Sequence, residues 1–141
     1  ECGKTIGEAL GKSGMLEVGE PRACLWIVPA PSSWKRRFFG HPITSHIAHG
    51  VAQGIRLSVP VPVAVRDICR LDPWVSSQAG KNSDKRREAR RGHMYVSTPI
   101  PQDVGLVAVD DVVATGGTMS ELFRVCGQNW VAGACIARSR R

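Results

Sequence analysis

Two adjacent carboxylates and a loop of small, hydroxyl-bearing residues form the stretch of this sequence best equipped for chemistry. Residues 106–109 are an unbroken apolar run, as expected of a strand covered on both faces. Asp110 and Asp111 stand where that strand is expected to end, and Ala114, Thr115, Gly116, Gly117 and Thr118 follow. Thr118 and Glu121 have the spacing of a capping box, which predicts a helix beginning at Met119. A glycine loop running into a helix start turns backbone N–H groups outward, and the helix dipole adds to their attraction for an anion. Two carboxylates beside such a loop can hold sugar hydroxyls or a divalent metal. The chemistry implied is binding of a sugar phosphate at the carboxyl end of a parallel strand. The bland alternative is an ordinary strand–turn–helix with an acidic turn.

The elements that must position this stretch alternate between strand and helix. Residues 4–12 predict a short helix with Ile6, Ala9 and Leu10 on one face. Gly11-Lys12-Ser13 is not a Walker A loop: only three residues separate Gly7 from Gly11 where four are needed, and no strand precedes them. Gly11 and Gly14 read as helix terminators. Residues 23–28 predict a second apolar strand, ended by Pro29 and Pro31. The loop after it carries Lys35, Arg36 and Arg37, which can meet a pyrophosphate or form a solvated turn. Residues 41–55 read as a helix, with Ile43, Ile47, Val51 and Ile55 every fourth residue. His46 and His49 lack further ligands nearby in sequence and read as surface residues. Residues 59–65 predict an edge strand, because Pro60 and Pro62 punctuate it. Residues 94–96 predict a short strand, residues 99–102 a turn, and residues 131–137 a last strand after a helix ending near Gly127. The whole predicts one α/β domain over residues 1–141, with a mainly parallel twisted sheet, helices on both faces and right-handed crossovers.

Composition sets bounds on this picture. The chain has 141 residues, 43% hydrophobic and 22% charged, values ordinary for a globular domain with one core. It starts at Glu1 rather than Met, so upstream sequence is expected to be missing. No apolar run approaches a membrane span, so no membrane partner is expected. Five scattered cysteines without a C-x-x-C pair read as reduced core thiols of a cytoplasmic protein. The net charge of +7 favours an anionic partner. Residues 81–91 carry +4 of it, within a poorly apolar excursion over residues 72–92 that includes Lys85, Arg86 and Arg87. Such a segment suits a mobile lid, or is simply a solvated charge run.

The acid pair with its loop closely resembles the phosphoribosyl-pyrophosphate (PRPP) loop of type I phosphoribosyltransferases. Within them the chain is most similar to the ComF family, the competence-associated, amidophosphoribosyltransferase-like proteins. Val28-Pro29-Ala30-Pro31 with the basic loop and His41 resembles that family's Val-Pro-x-Pro segment. Gln78 followed by Arg86 resembles its glutamine-to-arginine stretch. The resemblance covers most of residues 23–138. Phe39-Gly40 replaces the usual Arg-Gly pair, Ala89 a common asparagine and Lys81 a common leucine. The N-terminal cysteine-rich zinc module of many members is not found in these residues, either truncated or never present. These departures concern the second-substrate region.

The resemblance implies the type I phosphoribosyltransferase fold and displacement of pyrophosphate from C1 of PRPP by a small-molecule nucleophile, through nitrogen, with Mg²⁺. Residues 114–118 would take the 5′-phosphate, and Asp110 and Asp111 would hold the ribose hydroxyls, directly or through Mg²⁺ and water. Lys35, Arg36 and Arg37 would neutralise the pyrophosphate, and Lys85, Arg86 and Arg87 would close over the site. No general base stands out. A homo-oligomer is compatible with the sequence. Two rivals share the fold: a PRPP- or nucleotide-sensing protein without turnover, and a nucleic-acid-associated protein of DNA uptake. The second is suggested by the pI of about 9.7, but the basic run at 81–91 holds no aromatic residue on which a base could stack.

Overall fold

Strands form mainly where β-branched and apolar residues run together, and proline or charge follows several of them. The structure is a computed structural model that describes residues 1–16, 21–31, 43–72, 92–113 and 116–138. In chain order the described elements are α1 (Cys2–Lys12), β1 (Cys24–Pro29), α2 (Ile43–Arg56), β2 (Val63–Val65) and β3 (Cys69–Leu71). Then come β4 (Met94–Val96), β5 (Val104–Val113), α3 (Gly117–Cys126), a 3-10 turn (Gly127–Asn129) and β6 (Trp130–Arg138). No helix among the described residues is long and apolar enough to cross a membrane.

The main sheet has the order β2-β1-β5-β6 with every pairing parallel, so the expected α/β architecture is present. β2 lies at an edge and, shorter than the expected 59–65, begins only after Pro60 and Pro62. Alternate residues of each strand face opposite layers. Leu25, Ile27, Val107 and Val109 pack with Ile47, Val51 and Ile55 of α2. Val28, Leu106 and Ala108 pack with Leu122 of α3 and with Cys69 and Met94 of the β3–β4 hairpin. Cover on both faces, complete in β5 as far as Asp110 and partial at Cys24 and Trp26 of β1, explains why both strands read as continuous apolar runs.

Two features depart from expectation on the α2 side. The buried face of α1 is Gly3, Gly7 and Leu10, while Ala9 is exposed. Gly11 does not end α1: it lies inside the helix against Ser58, and the left-handed residue beyond the end is Gly14 at φ 73°. Gly7 and Gly54 of α2 let the two helices touch backbone to backbone. A Cβ on either would stand 2.1 Å from a carbonyl oxygen, Val51 O for Gly7 and Lys4 O for Gly54. Ile43, expected on the apolar face of α2, is 60% exposed, whereas His46 and His49 are at the surface as expected.

The other layer holds the antiparallel pair β3–β4, of which only β4 is apparent in the sequence. Ser97 fixes its base, donating from both N–H and hydroxyl to Ile68 O. The two arginines after β2 serve packing. Arg66 lies over the Trp26 ring at 5.5 Å, and Arg70 pairs with Asp67 at 2.7 Å. At the amino edge, Asn129 donates to Pro101 O and Val104 O, both at 2.8 Å, tying the turn before β5 to the start of β6.

Candidate functional site

The order of the strands fixes where a ligand can sit. From β1 the chain crosses through α2 to β2 on one side. From β5 it crosses through α3 to β6 on the other. Between the carboxyl ends of β1 and β5 the chain therefore diverges in both directions and over both faces, the position at which open α/β sheets take their ligands. The two strands run level, with Pro29 opposite Val109 and the Ala30 N–H donating to Val109 O at 2.7 Å. The loop leaving β1 and the acid pair of β5 thus start side by side.

Asp110 and Asp111 are not past the end of the strand, as the sequence suggested. β5 continues to Val113, paired with β6 through Asp110–Cys135, Val112–Ala137 and Val113–Arg138. An extended strand sends neighbouring side chains to opposite faces. The alternation set by Leu106 and Ala108 puts Asp110 on the α3 face, where it is 8% exposed, and puts the half-buried Asp111 on the other. Each carboxylate also steadies the backbone after it. Asp110 Oδ1 accepts the Asp111 N–H at 2.9 Å, and Asp111 Oδ1 accepts the Val112 N–H at 2.8 Å.

After β5 the chain re-enters the described region at Gly116, whose φ of 78° only glycine adopts without strain. The Gly116 carbonyl accepts the first helical bond from Ser120 N–H at 2.9 Å. α3 begins at Gly117, two residues before Met119, and no side chain among the described residues caps it. Its first-turn amides lack intrahelical acceptors, which is the property an anion site uses.

The capping box expected from Thr118 and Glu121 is not formed. Glu121 turns to the hairpin instead. Its Oε2 accepts the Gly92 N–H at 2.9 Å and Arg124 Nη2 at 2.8 Å, and Arg124 Nη2 also donates to Met94 O at 2.8 Å. The Arg124 guanidinium beside it holds the Glu121 carboxyl below its ordinary range, against the effect of burial and with help from the Gly92 N–H. The same pairing raises Arg124. Sequence reasoning saw Glu121 only as a cap. The i,i+3 spacing of Glu121 and Arg124 was the available signal for the pair.

Of the anticipated site residues, Asp110, Asp111, Gly116, Gly117 and Thr118 are described, and they follow one another at the carboxyl end of β5. Ala114 and Thr115, the pyrophosphate candidates Lys35, Arg36 and Arg37, and the lid candidates Lys85, Arg86 and Arg87 lie outside the described residues. The ends of the excursion are described, and they meet where Asp72 N–H donates to His93 O at 3.0 Å.

Among the described residues no three His, Cys, Asp or Glu side chains converge as a metal-binding group. Since Asp110 and Asp111 face opposite ways, β5 does not offer one ion direct bonds from both. Their oxygen chemistry suits Mg²⁺ taken through a single carboxylate, an ion that otherwise keeps water and substrate phosphate oxygens as ligands.

Comparison of the chain with protein-family models, with curated proteins and with solved structures gives no match.

Proposed function

We propose that this protein binds PRPP between the carboxyl ends of β1 and β5 and transfers its phosphoribosyl group to a small nitrogen nucleophile. The observation that carries the reading is the succession, at the carboxyl end of β5, of the acid pair, the left-handed Gly116 and the first turn of α3. In this reading the amides of residues 114–118 and the hydroxyls of Thr115 and Thr118 hold the 5′-phosphate. Of Asp110 and Asp111, one holds the ribose hydroxyls directly and the other through Mg²⁺ and water, and both favour positive charge developing on the ring. The nucleophile bonds to C1 as the C1–O bond to pyrophosphate breaks, and the leaving group takes the electron pair. Lys35, Arg36 and Arg37 neutralise it, and Lys85, Arg86 and Arg87 cover it. Bound Mg²⁺, held by one of the two carboxylates, would spread the pyrophosphate charge. Positioning and electrostatics carry the rate enhancement. We place this activity in the cytoplasm, where PRPP and reduced thiols coexist.

Calorimetric titration with PRPP and Mg²⁺ tests the site. Binding is expected for the wild type. It should be lost in the double variant Asp110→Asn, Asp111→Asn, with its far-UV circular dichroism unchanged. Equal binding by the double variant would refute the assignment. Pyrophosphate release across a broad panel of purines, pyrimidines and amines tests turnover. Binding without release across the panel would favour the sensing role, and DNA binding that falls steeply with salt would favour the nucleic-acid role.

A further inference from the structure

Two of the five thiols meet in the core. Cys69 on β3 and Cys126 at the last residue of α3 are 0% and 2% exposed in the same apolar cluster, where each thiol is near enough to shift the other's titration. The polar contacts nearby agree with this placement. Arg124, two residues before Cys126, reaches Met94 O on β4, and β4 pairs with β3 through Cys69–Val96 and Leu71–Met94. The last turn of α3 therefore lies against the hairpin that carries Cys69. Neither sulfur has a role in the proposed reaction.

We propose that Cys69 and Cys126 form a reversible disulfide that fastens the β3–β4 hairpin to α3 when a disulfide oxidant is present. The bond would join elements 57 positions apart in the sequence. The segment it closes contains Asp110, Asp111 and the whole 72–92 excursion. The inference does not depend on PRPP.

The chemistry is ordinary thiol–disulfide exchange. The neighbouring Cys69 holds the Cys126 thiol below its ordinary range, and the same contact, with burial, pushes Cys69 up. Cys126 is therefore the first nucleophile. Its sulfur attacks oxidised glutathione and releases one glutathione thiolate. Cys69 then attacks Cys126 in the mixed disulfide, the bond to glutathione breaks, and a second glutathione leaves. One S–S bond is broken and one formed overall, and two thiol protons pass from protein to glutathione. Because both sulfurs are buried, the exchange runs slowly, through local opening of the hairpin.

The wild-type protein, brought to equilibrium in glutathione buffers of graded redox poise, tests this directly. Free thiols are alkylated, and peptides are mapped under non-reducing conditions by mass spectrometry. The expected result is a peptide pair linked through Cys69 and Cys126, with a mass deficit of two hydrogens. The linked protein should melt roughly 10 °C higher than the reduced one, as closure of a long loop implies. Serine at either position should abolish the link, but the wild-type map decides the matter even if those variants do not fold. The proposal is overturned if both cysteines are alkylated at the most oxidising poise, or if either is linked instead to Cys2, Cys24 or Cys135. It is equally overturned if the link forms only after denaturation, or if it leaves the melting temperature unchanged.

Discussion

At the scale of single residues, a carboxylate that is 8% exposed needs partners, and Glu121 has two: the Gly92 N–H and the Arg124 guanidinium. Those partners lower its folded pKa from 4.5. A lowered carboxylate stabilises the fold at pH values above its unfolded pKa, and that contribution fades as pH falls through the folded one. Glu121→Gln should therefore melt below the wild type at neutral pH. The gap between the two melting curves should hold above about pH 5 and close as pH falls through the lowered folded pKa, where wild-type Glu121 is itself protonated. A gap independent of pH would mean that the charge does not matter there. The signals for the acid pair were of a different kind. The identity and order of Asp110, Asp111 and the glycine loop are plain in the sequence, but the faces they occupy are not. Aspartate is a poor strand former, so the strand seemed to stop at Val109. It is Val112 and Val113, β-branched and paired with β6, that carry it past the acids and set Asp110 and Asp111 on opposite sides.

At the scale of elements, α1 is held to α2 by what the glycines lack. Gly3 and Gly7 face Gly50 and Gly54, and the four-residue spacing in each helix keeps the small residues on one stripe. Gly7→Ala would add helix propensity worth about 1 kcal/mol at most. It would also place a Cβ 2.1 Å from Val51 O and 2.9 Å from Gly54 Cα, both backbone atoms that no rotamer change can move. The clash should win, with a net loss of about 1–3 kcal/mol as α1 is pushed off α2. A lower urea midpoint than wild type, at unchanged slope, is the expected measurement, whereas a raised midpoint would show that the helices part without cost. The spacing was visible in the sequence. On its own a glycine weakens a helix, and only contact with a second glycine stripe reverses that meaning.

At the scale of the molecule, alternating strands and helices made the parallel sheet legible, since each crossover is local and each buried strand is uniformly apolar. The β3–β4 hairpin was not legible: β3 is three residues long, has Asp67 and Asp72 close on either side, and pairs with a strand beyond the 72–92 excursion. Its place in the molecule rests on long-range contacts. These are the Ser97 bonds to Ile68 O, the burial of Cys69 and Met94, and the Glu121–Arg124 link from α3 to Gly92 and Met94. A two-stranded sheet has little stability of its own. The hairpin should therefore open at lower free energy than β1 and β5, whose amides lie in a four-stranded parallel ladder. Arg124→Ala removes the donor to Met94 O and leaves Glu121 without its cation, while touching nothing on the α1–α2 side of the sheet. Hydrogen exchange of the variant should speed up in β3, β4 and the second half of α3 by roughly tenfold or more, the effect of losing one charge-assisted contact of about 1.5 kcal/mol. Exchange in β1 and β5 should be unchanged. Equal acceleration in both sheets would mean that hairpin and main sheet open as one unit. The link would then support the whole fold and not the hairpin alone.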